Sequence, residues 1–295
     1  MLLVQKSLQR SLLWRRNLVN LPSLREANKA DLSQISEVKQ REIFLKSLEE
    51  AAAASNSLKK PNASLQRFHD SGMTVSQLEQ VVEAGMMTFL LHVESRIASS
   101  LGQGFYTIGP CGEESLSAIG LNFKESDASA LHYRHISLSI LRQLKLGRTA
   151  ADIILDRARG FTCSTLDPVT GGKHCAIGGT PYDYLVTSTL ASQACPAVGR
   201  ALAIPLSNAL RNATVASSIP IKFPKDSISI VSVGEGSTNN AHFLSALNLA
   251  EYSAYHKRKV ILRSPVLSYS SLFSAQFYSL FLTMESVSPF SIMVG

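Results

Sequence analysis

The sequence predicts an α/β fold built on a parallel sheet, and three observations carry that expectation. Ile228, Ile230, Val231 and Val233 form a short, almost wholly apolar run, the pattern of a strand buried on both faces of a parallel sheet. Gly234-Glu235-Gly236 follows at once, where a turn is due. Asn239 or Asn240 can then cap a helix whose apolar positions are Phe243, Leu244 and Leu247. Strand, glycine-flanked acid and capped helix stand in the order that an α/β cofactor site needs. Glycine lets backbone approach a ligand closely. A carboxylate at the carboxyl end of a strand suits a hard cation such as Mg²⁺, which takes oxygen ligands. Taken alone, the GxG spacing fits equally well a tight strand-to-helix turn with a solvated Glu235.

A chain of 295 residues with 45% hydrophobic residues can bury one sizeable core, or form one domain with extensions. The net charge of +7 gathers much of its excess near the N-terminus. There is no basic stripe interleaved with aromatics and no nucleic-acid motif, so no nucleic-acid partner is implied. Cys111, Cys163, Cys175 and Cys195 show no CxxC spacing, which points to reduced thiols rather than a disulfide or zinc framework.

From the N-terminus, Lys6, Arg10, Arg15 and Arg16 lie among Leu2, Leu3, Leu8, Leu12 and Leu13, with no acid before Glu26. Residues 1–28 resemble an amphipathic mitochondrial targeting segment, and import into the matrix is the expectation. A merely basic tail is the plainer reading. Residues 29–70 read as a charged, alanine-rich helical arm and a linker, broken at Lys59-Lys60-Pro61-Asn62. A long helix is expected from Thr74, with Val75, Leu78, Val81 and Val82 at helical spacing, continuing through Phe89, Leu90, Leu91 and Ile97. Met86-Met87 reads as core. Residues 138–158 read as helix, with Leu141, Leu144, Ile153 and Ile154 buried, interrupted at Gly147 and capped afresh at Thr149. Residues 198–210 continue as a small-residue helix.

Four stretches carry candidate chemistry. Gly112-Glu113-Glu114 opens a helix, where the dipole favours acids; adjacent side chains point apart, so the two are not a catalytic pair. Tyr133-Arg134 offers a phenol and a guanidinium fork suited to phosphate oxygens, with His132 and His135 on either side. Residues 160–179 are glycine-rich and irregular, with His174 as a candidate and Cys175 as packing. Thr187, Ser188, Thr189, Leu190, Ser192 and Gln193 gather hydroxyls and an amide, which serve as oxygen ligands or simply bond local backbone.

Together, Gly234-Glu235-Gly236 with AHFLSALNLAEY, the FYxxxxGEE-like turn before Glu114 and the Tyr133-Arg134 pair resemble the alpha subunit of the decarboxylating component of 2-oxo acid dehydrogenase complexes. The likeness runs over residues 71–262. The GEG spelling resembles the branched-chain, 2-oxoisovalerate (3-methyl-2-oxobutanoate) type. The resemblance implies a thiamin-diphosphate-binding fold, a parallel sheet with helices on both faces. It implies oxidative decarboxylation of a 2-oxo acid in branched-chain amino acid catabolism, with acyl transfer to a lipoyl group. The implied partners are a beta subunit, in a heterotetramer, and a lipoyl-bearing acyltransferase core. In this likeness Tyr133 and Arg134 contact the diphosphate. Gly234, Gly236 and Ser237 line the cofactor, and Ser188 and Leu190 line its thiamin. Glu235 holds Mg²⁺; Thr187, Thr189, Ser192 and Gln193 hold a monovalent cation such as K⁺; His174 acts near the active-site mouth. A pyruvate dehydrogenase alpha subunit is the nearest rival, and an inactive interaction subunit is the rival from another class.

The resemblance stops near Val260. Where the family carries paired asparagines that complete the Mg²⁺ shell, this chain has Arg263 and Ser264, and no Asn follows Asn248. Residues 263–295 read as a tail foreign to the family, with Glu285 the only charge after Arg263. The fold is therefore expected to be truncated before its last strands, with a loosely packed tail. The uncharged stretch 265–284 invites a membrane reading, which its serines and Gln276 oppose.

Overall fold

The computed structural model describes residues 34–55, 70–105, 108–173, 179–184, 188–210, 223–224, 226–256, 262–267 and 290–294. The targeting segment, His174, Cys175, Thr187 and most of the tail lie outside the described residues. The protein is α/β, mostly helical with a small parallel sheet. It divides into two compact units, Met1–Gly109 with Gly147–Cys175, and Pro110–Leu146 with Ala176–Gly295.

In the first unit, α1 (Ser36–Ser55) packs against α2 (Val75–Ser100). Val38, Val93 and Ile97 form a small core there, and two ion pairs fix the register, Arg41 to Glu94 at 2.9 Å and Arg96 to Glu37 at 2.7 Å. Thr74 starts α2 with a reciprocal cap: its hydroxyl accepts the Gln77 N–H, and the Gln77 side chain accepts the Thr74 N–H. The apolar positions expected near the start of α2 are not core, since Val75, Leu78 and Val82 are exposed. Burial begins at Ala84 and continues through Met87, Leu90, Leu91 and Val93, the stretch that meets neighbouring elements. α4 (Ala150–Phe161) is capped at Thr149, as expected. It ends in a Schellman motif: Ser164 N–H donates to the Arg159 carbonyl and Cys163 N–H to that of Gly160. Cys163 holds the left-handed position at φ 49°, one that glycine fills without steric cost.

The second unit holds the sheet. β1 (Ala128–Ala130) runs parallel to β2 (Ser229–Val231), with Ala128 opposite Ser229. β2 and β3 (Val233–Gly234) both pair with β4 (Leu262–Leu267) at one offset, Ser229 facing Leu262 and Val233 facing Val266. They are therefore one strand, interrupted at Ser232. The same offset sets Ser232 against Pro265, which has no N–H to give to a ladder. β5 (Phe290–Val294) extends the sheet beyond β4, again in parallel. The sheet thus continues past Val260, into the segment expected to be a loosely packed tail. Val266, Ile292 and Val294 are β-branched residues in charge-poor segments, and strand pairing suits them. Among the described residues no helix is long and apolar enough to cross a membrane.

α5 (Ala194–Leu210) and α6 (Ala241–Tyr255) pack together, and α5 lies on β1 and β2. Ala194, Ala197 and Ala201 let it sit close, against Val231, Val233, Phe243 and Ala246. Asn240 caps α6 by accepting the His242 N–H. On that helix Phe243 is buried and Leu244 is exposed, Ala246 and Ala250 taking its expected place in the core. α3 (Ile136–Lys145) packs on the 3₁₀ segment Glu113–Asn122. Its Arg142, 1% exposed, bonds Asp183 at 3.0 Å and the carbonyls of Lys124, Glu125 and Asp127. Asp183 also accepts from the Ser129 hydroxyl and the Thr180 N–H.

Two outcomes follow for stability. Cys163→Gly should stabilise the protein by about 0.5–1 kcal/mol by removing the left-handed strain, read as a higher denaturant midpoint at unchanged slope. Arg142→Ala should cost about 3–5 kcal/mol, because it leaves Asp183 buried without its countercharge; the same unfolding measurement checks it.

Candidate functional site

The carboxyl ends of β1 and β3 place their following turns side by side, the position where open α/β sheets bind ligands. Tyr133 and Arg134 follow β1, and Gly234–Ser237 form the end of β3 and a single 3₁₀ turn. These turns enclose a cavity of about 320 Å³ lined by Cys111, Glu113, His132, Tyr133, Arg134, Leu190, Gly234, Glu235, Gly236 and Ser237. Six of the seven residues expected to contact a cofactor, and Glu235, therefore meet at one surface. Ser188 is exposed and is not among the residues lining it.

Arg134 is half-buried, its guanidinium 5.3 Å from the centre of the Tyr133 ring and 3.2 Å from Cys111 Sγ. The ring face favours the cation and holds it at the cavity. Glu235 is exposed and Gly236 has open space where a Cβ would stand, so a ligand can reach the turn. Ser237 is fully buried, and its hydroxyl has no hydrogen-bond partner among the described residues. A buried orphan donor in a cavity wall is a ready contact for an anion or a polar ligand.

Ser232, inside the strand, ties the parts together. Its N–H donates to the Ala130 carbonyl at 3.1 Å, and its carbonyl accepts from Gln193 Nε2 at 2.7 Å. Its hydroxyl oxygen accepts the His132 N–H at 2.9 Å and lies 2.8 Å from His135 Nδ1. His132 is thereby pinned at the end of β1. Burial, followed by the charges of His135 and Arg134, pushes its imidazole down to about 3, so the ring is neutral at physiological pH. His135 is wholly buried, with Nε2 2.9 Å from Glu113 Oε2.

Of the residues expected to hold a monovalent cation, Thr189, Ser192 and Gln193 are among those described. Thr189 is exposed, Ser192 is half-buried with its N–H on the Thr189 carbonyl, and the amide nitrogen of Gln193 is committed to Ser232. Sequence reasoning passed over Ser232, Glu113 and Cys111 as parts of the site. A serine between two apolar residues, directly before a glycine turn, is the signal that could have found Ser232. No family model matches the chain, and no curated protein matches it either.

Ser232→Ala removes the acceptor of a buried N–H and the partner of a buried imidazole. It should cost about 1–3 kcal/mol, measured as a fall in denaturant midpoint against the unmodified chain.

Proposed function

We propose that the chain is the alpha subunit of a thiamin-diphosphate-dependent 2-oxo acid dehydrogenase of the branched-chain type, acting with a beta subunit and a lipoyl-bearing acyltransferase. The observation that supports this reading is the meeting of Tyr133, Arg134, Leu190 and Gly234–Ser237 around one cavity, from turns about a hundred residues apart. The donor set suits the diphosphate end of such a cofactor. Arg134 presents a fork to phosphate oxygens, and Tyr133 holds that fork in place. Ser237 has an uncommitted hydroxyl, and the Gly234–Gly236 backbone leaves room for close approach. Glu235 is an accessible oxygen ligand for the accompanying Mg²⁺. Leu190, on the cavity wall, gives apolar support to a bound ring. Thiamin diphosphate, when bound, supplies the carbanion and electron sink for decarboxylation; the residues here bind and orient it. Mitochondrial matrix localisation, the 2-oxo acid substrate and the K⁺ site belong to the same proposal.

One observation favours a second reading. The sequence has Arg263 and Ser264 where a carboxamide ligand is needed to complete the Mg²⁺ shell. An alpha-type chain that pairs with beta but binds cofactor poorly fits that loss. Titration of thiamin diphosphate with Mg²⁺ into the complex with beta separates the two. On the catalytic reading binding saturates, and Arg134→Ala weakens it by about 1.5–3 kcal/mol, the worth of a charge-assisted bond. Absence of binding by the unmodified complex favours the inactive subunit, and saturating binding indifferent to Arg134→Ala rejects the role given to this cavity.

A further inference from the structure

We propose that Glu113, His132 and His135 form a binding site for a transition-metal dication in the wall of the cavity, a site independent of the cofactor reading. The three come from different places: Glu113 opens the 3₁₀ segment, and His132 and His135 flank the turn after β1. One donor atom from each lies within 4.8 Å of the other two, and all three residues are buried. Around a tetrahedral Zn²⁺ with bonds of about 2.0–2.2 Å, ligand atoms stand about 3.3 Å apart. The Glu113 Oε2 to His135 Nε2 separation is 2.9 Å. Closing the set from within 4.8 Å to the tetrahedral spacing requires side-chain rotation.

The chemistry around these atoms is that of a site rather than of a hydrogen bond. His135 Nε2 and Glu113 Oε2 face each other at 2.9 Å without hydrogen-bond alignment, and neither has a hydrogen-bond partner among the described residues. Two buried polar atoms without hydrogen-bond partners cost about 1–3 kcal/mol each unless a shared partner satisfies them. A cation satisfies both. The other nitrogen of His135 is 2.8 Å from the Ser232 hydroxyl, the outer-shell contact that orients a ligating imidazole and leaves its second nitrogen for the metal.

Two imidazoles and a carboxylate select a borderline dication such as Zn²⁺ over Mg²⁺, which takes oxygen ligands. Glu113 and His132 both line the cavity, so the fourth coordination position opens toward it. Three protein ligands with one open position mark a metal that binds or polarises a ligand, in contrast to closed four-ligand structural sites. The alternative is a plain ion pair between His135 and Glu113.

The test uses the full 295-residue chain, stripped with a chelator and free of thiamin diphosphate, so its outcome does not depend on the proposed function. Zn²⁺ is titrated by calorimetry, and Co²⁺ by visible absorption. The expected result is one Zn²⁺ per chain, with a dissociation constant on the order of micromolar or tighter, and the intense visible bands of four-coordinate Co²⁺. His135→Gln and Glu113→Gln should each weaken Zn²⁺ binding at least tenfold and abolish those bands. His242→Gln, an exposed histidine on α6, should change neither. Should a variant fail to fold, the Co²⁺ spectrum of the unmodified chain decides alone. No binding, a pale six-coordinate Co²⁺ spectrum, or Zn²⁺ affinity equal in all variants would overturn the proposal and leave the buried pair as an ion pair.

Discussion

One serine holds the ligand-facing end of the second unit together. Ser232 interrupts the strand between Val231 and Val233, and each of its polar groups is used: N–H to β1, carbonyl to Gln193, hydroxyl to His132 and His135. Pro265 stands opposite it in register, so the ladder toward β4 is interrupted at the same point. A residue released from one ladder is thus free to organise side chains instead. In a buried setting such a network is strong when complete and costly when any member is removed.

The cavity mixes charges in a way that follows from its walls. His132 is kept neutral by burial, Arg134 keeps its charge on the half-exposed face of Tyr133, and Glu235 stands in solvent at the far turn. A cation and an anion on neighbouring turns that both line a cavity do not neutralise each other as a buried pair does. They remain available to a ligand that carries both kinds of partner, such as a phosphate with its metal. Small residues on α5 are the counterpart of this arrangement, for they let the helix lie close to the strands whose ends form the site.

Local signals in the sequence were enough for the local features. The caps at Thr74, Thr149 and Asn240 stand where their side chains and spacing place them. So does the strand, turn and helix around Gly234, and the Tyr133-Arg134 turn meets it. What could not be read locally depends on distant partners. Arg142 looks like an ordinary basic residue near a helix end, yet its partners lie on two separate loops. Glu113 was judged against its neighbour Glu114, whereas its companion is His135 on another element. At the start of α2 the helical spacing is real, but the next element covers only the later turns, so Val75 and Val82 face solvent. The strands beyond Val260 were missed because Ser-containing sequence with no clear period, a Pro in one strand and few charges looks unlike the alternation or long apolar run of a strand.

The order of the strands also sets a schedule for folding. β1 pairs with a strand about a hundred residues further along the chain, and that strand pairs in turn with β4, about thirty residues on. The helices can form early from neighbouring residues, but the sheet requires closure of a long loop, an entropic cost met before any pairing is gained. The cavity is made from the ends of those strands. It therefore exists only once the long loop between β1 and its partner has closed, and the contact of His135 with Ser232 is made by that same closure.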